Sequence, residues 1–459
     1  MKNNLCLFLL VPCWALGVLI VPASARQEDE RVDPQARIVT RLTPSGYNRA
    51  EGLGFMVGPA GTTGGQNPFR AEVLFVLRTE PAFGVSTVGY SAQIQKTFFS
   101  GKLNVGGAGY SEIRPIDSQG IPMVENSIAA LLLRSDYRDY ESIDGFRLYA
   151  AYGPIRGKWS AAAALQTDLS HSIGFALASS GVGNSYSKWR LHPIAAAGRS
   201  YSLNLSGRYA SNTRRRTDPL PMPGVTARGQ LIFGLGGTFS YPTDLESETG
   251  TAITMPAPSS EFVAGRLDAK GVLAISDARL QARVLLGGAI KDVLLPNGYQ
   301  TSLGGRGSAP GLDPLPVGKQ TASPPGGSSR LDCGARENFY ISPSARQSYY
   351  PFHGCDRFAL FQIQIEGYVG LRFGPDNLAL NDPVLGLMIE PVPRWIVFAD
   401  AAQGWALGDS GTVLRRDEAM AYDVGAGIAF GDLGLFVAKP FSDRGDSGAR
   451  FIIRLGNRI

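Results

Sequence analysis

The residues that first invite a chemical reading lie in Q-T-S-L-G-G-R-G-S-A-P-G-L-D-P-L-P-V-G-K-Q-T, Gln300 to Thr321. Glycines beside an arginine and a lysine are the material of a phosphate-cradling loop. Such a loop needs a glycine, four residues, then Gly-Lys and Ser or Thr opening a helix. Here Gly318-Lys319 is followed by Gln320, and Asp313 stands where the first glycine belongs. Pro310, Pro314 and Pro316 also oppose a helix start. The nucleotide reading fails. A nucleophile elbow is missing as well, because Arg306 stands two residues before Ser308 where glycine is required. His171, His192 and His353 show no helical metal spacing. The expectation is a non-enzymatic chain with no catalytic, cofactor-binding or metal-ligating residues. A membrane hydrolase is the residual enzymatic alternative.

Of the four cysteines, Cys6 and Cys13 fall in the opening residues, which read as a secretory signal peptide over 1–25. Lys2 supplies the positive start, Leu5 to Val21 the apolar stretch, and Ala23-Ser24-Ala25 the cleavage site. An uncleaved anchor is the alternative, but the charged run R-Q-E-D-E-R-V-D that follows favours cleavage. Cys333 and Cys355 remain, an even pair in an exported chain, and read as one disulfide. A metal site would need more ligands than these thiols and His353. The formal charge of +5 is mild. Arg214-Arg215-Arg216 beside D-P-L-P-M-P-G reads as a solvated turn, so no nucleic-acid partner is expected.

No later stretch approaches the roughly 20 apolar residues of a membrane helix. The chain is therefore either a secreted β protein or a transmembrane β-barrel, whose hydropathy is spread over many short strands. Arg357 to Phe373 is the most informative run. Ala359, Phe361, Ile363, Ile365 and Val369 share one face, and Gln362, Gln364, Glu366 and Arg372 the other. Tyr201–Ala210, Ala278–Leu286 and the final R-F-I-I-R-L-G-N-R-I alternate in the same way, the last with Arg454 and Arg458 on its polar face. Sandwich strands also alternate. Long, numerous strands with arginine and glutamine deep in their polar faces favour a closed barrel, since a sheet in lipid must pair every backbone group.

Strands are predicted near Phe69–Arg78, Val88–Phe99, Leu103–Ile113, Val124–Arg134, Phe146–Tyr152, Trp159–Leu165, Ile173–Leu177, Trp189–Ala196 and Tyr201–Ala210. Others follow at Gly229–Tyr241, Phe262–Ile275, Leu280–Ile290 and Arg357–Phe373, with four more to the C-terminus, seventeen runs that read as a barrel of about sixteen strands or slightly more. Residues 26–66 read as a periplasmic or lumen-occluding lead-in, 67–459 as the barrel, and 292–356 as one long outer loop.

The last hundred or so residues resemble the barrel domain of the BamA/TamA superfamily of outer-membrane assembly and translocation factors, the bacterial surface antigens. The family's Phe-x-Asp-x-Gly strand motif appears as Phe398-Ala399-Asp400-Ala401-Ala402. The end G-A-G-I-A-F-G-D-L-G-L-F-V-A-K-P-F is similar to the family's closing strands. In the long loop Gly304-Gly305 match, but Pro310-Gly311-Leu312 stands where Arg-Gly-aromatic is usual, and Gln364 replaces the usual strand glutamate. The resemblance implies a lumen-inserted loop, its returning arm braced by the disulfide, and Arg306 as the nearest partner for Asp400. It also implies an outer-membrane location, contact with membrane lipid, and client outer-membrane or secreted proteins. The family's periplasmic client-binding domains have no counterpart here, so the chain resembles barrel-only members. A passive channel or surface-structural barrel without a client is the alternative.

Overall fold

The computed structural model describes residues 36–459 apart from 117–120, 175–188, 213–219, 302–339, 350–354, 372–379, 383–386, 408–412, 417–419, 442–447 and shorter breaks. The chain is all-β, built on one large antiparallel sheet. Its strands are β1 (Arg37–Asn48), β2 (Gly52–Thr62), β3 (Phe69–Arg78), β4 (Val88–Phe98), β5 (Leu103–Pro115), β6 (Tyr140–Tyr152), β7 (Trp159–His171) and β8 (Ala197–Ala210). Then come β9 (Gly224–Ser240), β10 (Glu261–Ile275), β11 (Ala278–Ala289), β12 (Arg357–Tyr368), β13 (Arg394–Leu407), β14 (Ala421–Phe430), β15 (Leu433–Pro440) and β16 (Arg450–Leu455). Each pairs with the strand that follows it. A short strand, Val413–Arg416, extends the edge of β13.

The faces of this sheet are reversed from those of a water-soluble fold. On β12, Phe361, Ile363 and Ile365 are 41%, 47% and 40% exposed, while Gln362, Gln364 and Glu366 are 4%, 3% and 1% exposed. The same reversal runs from β3, where Val73, Phe75 and Leu77 face outward, to Phe451 and Ile453 on β16. An apolar belt outside and a polar interior suit a barrel wrapped by hydrocarbon. Connections alternate between short turns, such as Ser276-Asp277 and Gly431-Asp432, and long crossings at 116–139, 172–196, 241–260 and 290–356.

Three corrections to the expected element map follow. Residues 37–62, read as part of a lead-in, form the first hairpin of the sheet. Pro44, Pro59 and the frequent glycines of β2 hide its alternation. Met123–Leu133, read within a strand, is a helix, α1. Its Ala-Ala-Leu-Leu-Leu end is strong helix-forming sequence, and Pro122 just before it opens the first turn. The described residues of 173–177 and 189–196 lie outside the barrel strands. Two hairpin strands missed and three strands overcounted leave sixteen long strands among the described residues, beside the short Val413–Arg416.

The long crossings pack against one another. Leu245–Ser247 pairs with Ala252–Ile253 and with Tyr340–Ser342, which pairs in turn with Gln347–Tyr349. Asp244 pins this small sheet by accepting from Ser342 Oγ at 3.0 Å and from the Ser344 amide at 2.8 Å. Hydrogen bonds from Ser344, and then Ser342, hold its carboxyl below the usual aspartate range. A carboxylate whose folded pKa is depressed contributes in full above its unfolded pKa and loses that contribution as pH falls through the folded value. Acidification below the ordinary aspartate range is therefore expected to loosen 245–253 from 340–349. Faster protease cleavage there at low pH, absent in Asp244→Asn, is the check.

Candidate functional site at the lumen wall and the seam

Adjacent inner faces of β12 and β13 build the first half of the site. Period-two alternation turns Gln362, Gln364 and Glu366 inward on β12, and Phe398, Asp400 and Ala402 inward on β13. Register sets Gln364 opposite Phe398 and Gln362 opposite Asp400. Asp400 in turn sits opposite the buried Asp423 on β14. Two carboxylates side by side in a dry wall require a cation.

That cation is Arg458, three residues beyond the end of β16. Its Nη1 donates to Asp400 at 2.6 Å and its Nε to the Gln364 side-chain oxygen at 3.0 Å. Its guanidinium carbon lies 3.9 Å from the Phe398 ring centroid. A planar fork suits this combination of ion pair, amide bond and ring contact, which an ammonium would not reproduce. Phe398, Asp400 and Gln364, singled out in the sequence, are thus brought together. The residue that joins them was missed as their partner, although it stood on the polar face of the last strand. Arg306 was the expected candidate; it lies outside the described residues, as do Gly304, Gly305, Pro310, Gly311 and Cys333.

A second buried pair supports the same wall. Arg394 binds Glu366 and donates to the Gly431 carbonyl at 2.7 Å. Gln281 on β11 donates to the other Glu366 oxygen. Three consecutive barrel strands, β11 to β13, and the β14–β15 turn are stitched together along the lumen.

The second half of the site is the meeting of the first and last strands, bridged by α1. Ser127 Oγ accepts from the Tyr47 amide of β1 at 3.1 Å, and the Glu125 carboxylate accepts from the Leu455 amide of β16 at 3.0 Å. Glu125 also lies 3.8 Å from Arg454 Nε. Gly46 permits this approach: its φ is +97°, and a Cβ there would stand 2.8 Å from Ser127 Oγ. The helix is held to the first hairpin by fully buried Arg49, whose Nη2 is 2.6 Å from Asp139. The Arg49 amide donates to Asp136, which also accepts from Asn126 of α1.

Tyr47 lies near the β1–β2 turn, whereas Leu455 is paired with Leu433 beside the opposite, short-turn end. The long-crossing end of β1 therefore sits beside the short-turn end of β16, and the rest of β1 runs past it. Among the described residues no strand pairs with the outer edge of β1 from Arg37 to Thr43. Ile38 and Leu42 there are 85% and 70% exposed.

The described arms of the long crossing 290–356 close on each other and on the lumen. Thr301 and buried Cys355 exchange backbone bonds of 2.7 and 3.2 Å. Asp356 accepts from the Leu295 amide and the Gln300 side chain, both at 2.9 Å. Asn297 accepts from Tyr241 at 2.9 Å and donates to the Ile194 carbonyl. A Cβ on Gly298 would lie 2.6 Å from Glu141 Oε1 of the lumen wall, so the backbone rests directly on it.

No family model and no curated protein matches this sequence. Among solved structures, CdiB from Escherichia coli is similar at 11% identity and a TM-score of 0.38, covering 92% of this chain and 62% of its own. CdiB from Acinetobacter baumannii gives 11% and 0.35, covering 92% and 66%. Wzi, an Escherichia coli outer-membrane protein involved in group 1 capsule assembly and described as a carbohydrate-binding β-barrel, gives 10% and 0.23, covering 90% and 81%. The chain spans less than two thirds of the length of either CdiB. The barrel reading stands on the chain's own sheet and faces, not on these likenesses.

Proposed function

We infer that the protein is a non-enzymatic outer-membrane barrel whose seam between β1 and β16 receives a strand of a client outer-membrane or secreted protein. The observation that carries this is the open edge of β1. In lipid an unpaired peptide group costs several kcal/mol, so such an edge is kept out of the hydrocarbon or takes another strand. An exposed edge strand is also a template for pairing. Both terminal strands end on the short-turn side, the periplasmic side in barrels of this kind, and the open stretch of β1 lies toward that side. Clients would arrive there. Helix α1 and Arg458 act as the two catches that keep the seam in register when no client is present. The described arms of the long crossing rest on the lumen wall, and a Cys333–Cys355 disulfide is the brace proposed for its returning arm.

A photoreactive phenylalanine analogue at Val39 tests this. In vesicles carrying the barrel, an unfolded β-barrel protein diluted from urea is expected to crosslink at Val39, while an unfolded helical protein is not. Adducts confined to the chain itself would remove the strand-accepting role and leave a client-free barrel.

A further inference from the structure

The lumen wall beside the Arg458 catch, joined to it where Arg283 donates to Gln362 and Gln362 to Asp400, carries a cationic cluster that the strand-accepting role does not use. On β8 and β9, Arg208 and Arg228 both point inward and are direct cross-strand partners. On β10, Arg266 is opposite Gln230, and Asp268 is opposite Arg228. On β11, Arg283 is opposite Lys270. Five cations over four adjacent strands thus face one carboxylate. Asp268 is already engaged, since both its oxygens accept from Arg283 at 2.8 Å. Arg208 and Arg228 are exposed, and Arg228 has Asp268 directly opposite it on β10, so this one carboxylate serves Arg283 and Arg228 together.

Like charges directly opposite on neighbouring strands destabilise a sheet. A fold that sets two arginines this way gains if an anion lies between them. The cluster lines a cavity of about 470 Å³, where Arg208, Arg228 and Arg266 stand with Gln230, Asn104 and Ser160 and with one carboxylate, Asp268. Guanidinium forks bind tetrahedral oxyanions through paired N–H donors, and the neutral amides and hydroxyl supply further contacts. Arginine-lined lumens are also the usual device for anion and phosphate passage.

We propose that this cavity is a binding site for phosphate-bearing anions, with Arg208 and Arg228 as the paired recognition groups and Arg266 completing the cradle. The site rests on the barrel reading alone and is independent of whether β1 accepts a strand.

The test uses the full chain in detergent micelles with pyrophosphate as probe. Saturable binding by calorimetry is expected, with a rise in the thermal midpoint of wild-type protein. Arg208→Gln/Arg228→Gln is expected to weaken binding at least about tenfold and abolish the pyrophosphate shift. The same double variant should be no less stable than wild type without ligand, since it relieves repulsion, so a folding failure would count against the cluster as described. No saturable binding to the wild type overturns the proposal. So does an equal loss in Arg37→Gln/Lys96→Gln, which removes two charges elsewhere on the sheet and would reveal a general charge effect.

Discussion

Replacing Arg458 by alanine is expected to destabilise the barrel by about 3–5 kcal/mol, the usual cost of stripping one partner from a buried ion pair. Asp400 is 3% exposed and sits opposite Asp423, so its charge would be left against another carboxylate in a dry wall. Urea unfolding from lipid vesicles, followed by heat-modifiable gel mobility, gives the number. Asp400→Asn alone should cost a comparable amount, and the double variant less than the sum, because each single change orphans the other partner. Arg458→Lys should recover only part, since it keeps the charge but loses the fork to Gln364 and the flat contact with Phe398. Arg306→Ala, combined with Asp400→Asn in the same design, is expected to show no coupling. A wild-type urea midpoint for Arg458→Ala would mean that the C-terminal residues are not the catch described above.

The second large effect is expected at Arg49. Its side chain is fully buried, pairs with Asp139, donates to the Arg138 carbonyl and lies 5.7 Å from the Tyr140 ring centroid. Arg49→Ala removes the cation between Asp136 and Asp139, and a local loss of about 3–5 kcal/mol follows from the same argument. The consequence should reach the seam. Asn126 and Tyr140 both bond Asp136, so release of Asp136 loosens α1, and α1 carries the acceptors for the Tyr47 and Leu455 amides. Hydrogen exchange is the measurement. Protection should fall in 45–48 and 453–455 while β6 to β11 keep wild-type protection. Arg49→Met, which fills most of the volume, should behave like alanine if charge is the cause and like wild type if packing is. Unchanged exchange at Leu455 would show that α1 does not hold the seam.

Much of this architecture is legible in the chain before any coordinates. The alternation of Phe361, Ile363 and Ile365 with Gln362, Gln364 and Glu366 already implies a sheet with a wet face and a greasy face, because side chains on a strand can only point two ways. Phe398, Asp400 and Gln364 could be singled out as wall residues from the same alternation and from a resemblance of motif. The first hairpin was hidden because glycines and prolines break the pattern without breaking the strand. Helix α1 was misread because a short apolar run fits either period.

What the sequence determined by itself is the two-faced strand and, through it, a barrel with an apolar outside and a polar inside: side chains on a strand alternate, and a sheet in lipid must turn its greasy face outward. What only the tertiary structure decided is who meets whom across the closure. Arg458 and Asp400 are 58 residues apart, and Tyr47 and Leu455 lie at opposite ends of the chain. Their meeting depends on small register offsets accumulated over the fifteen strand pairings and on how the sheet curls. No local window of sequence contains that sum, so neither the C-terminal catch, nor the helix in the seam, nor the open stretch of β1 could be read before the barrel was closed.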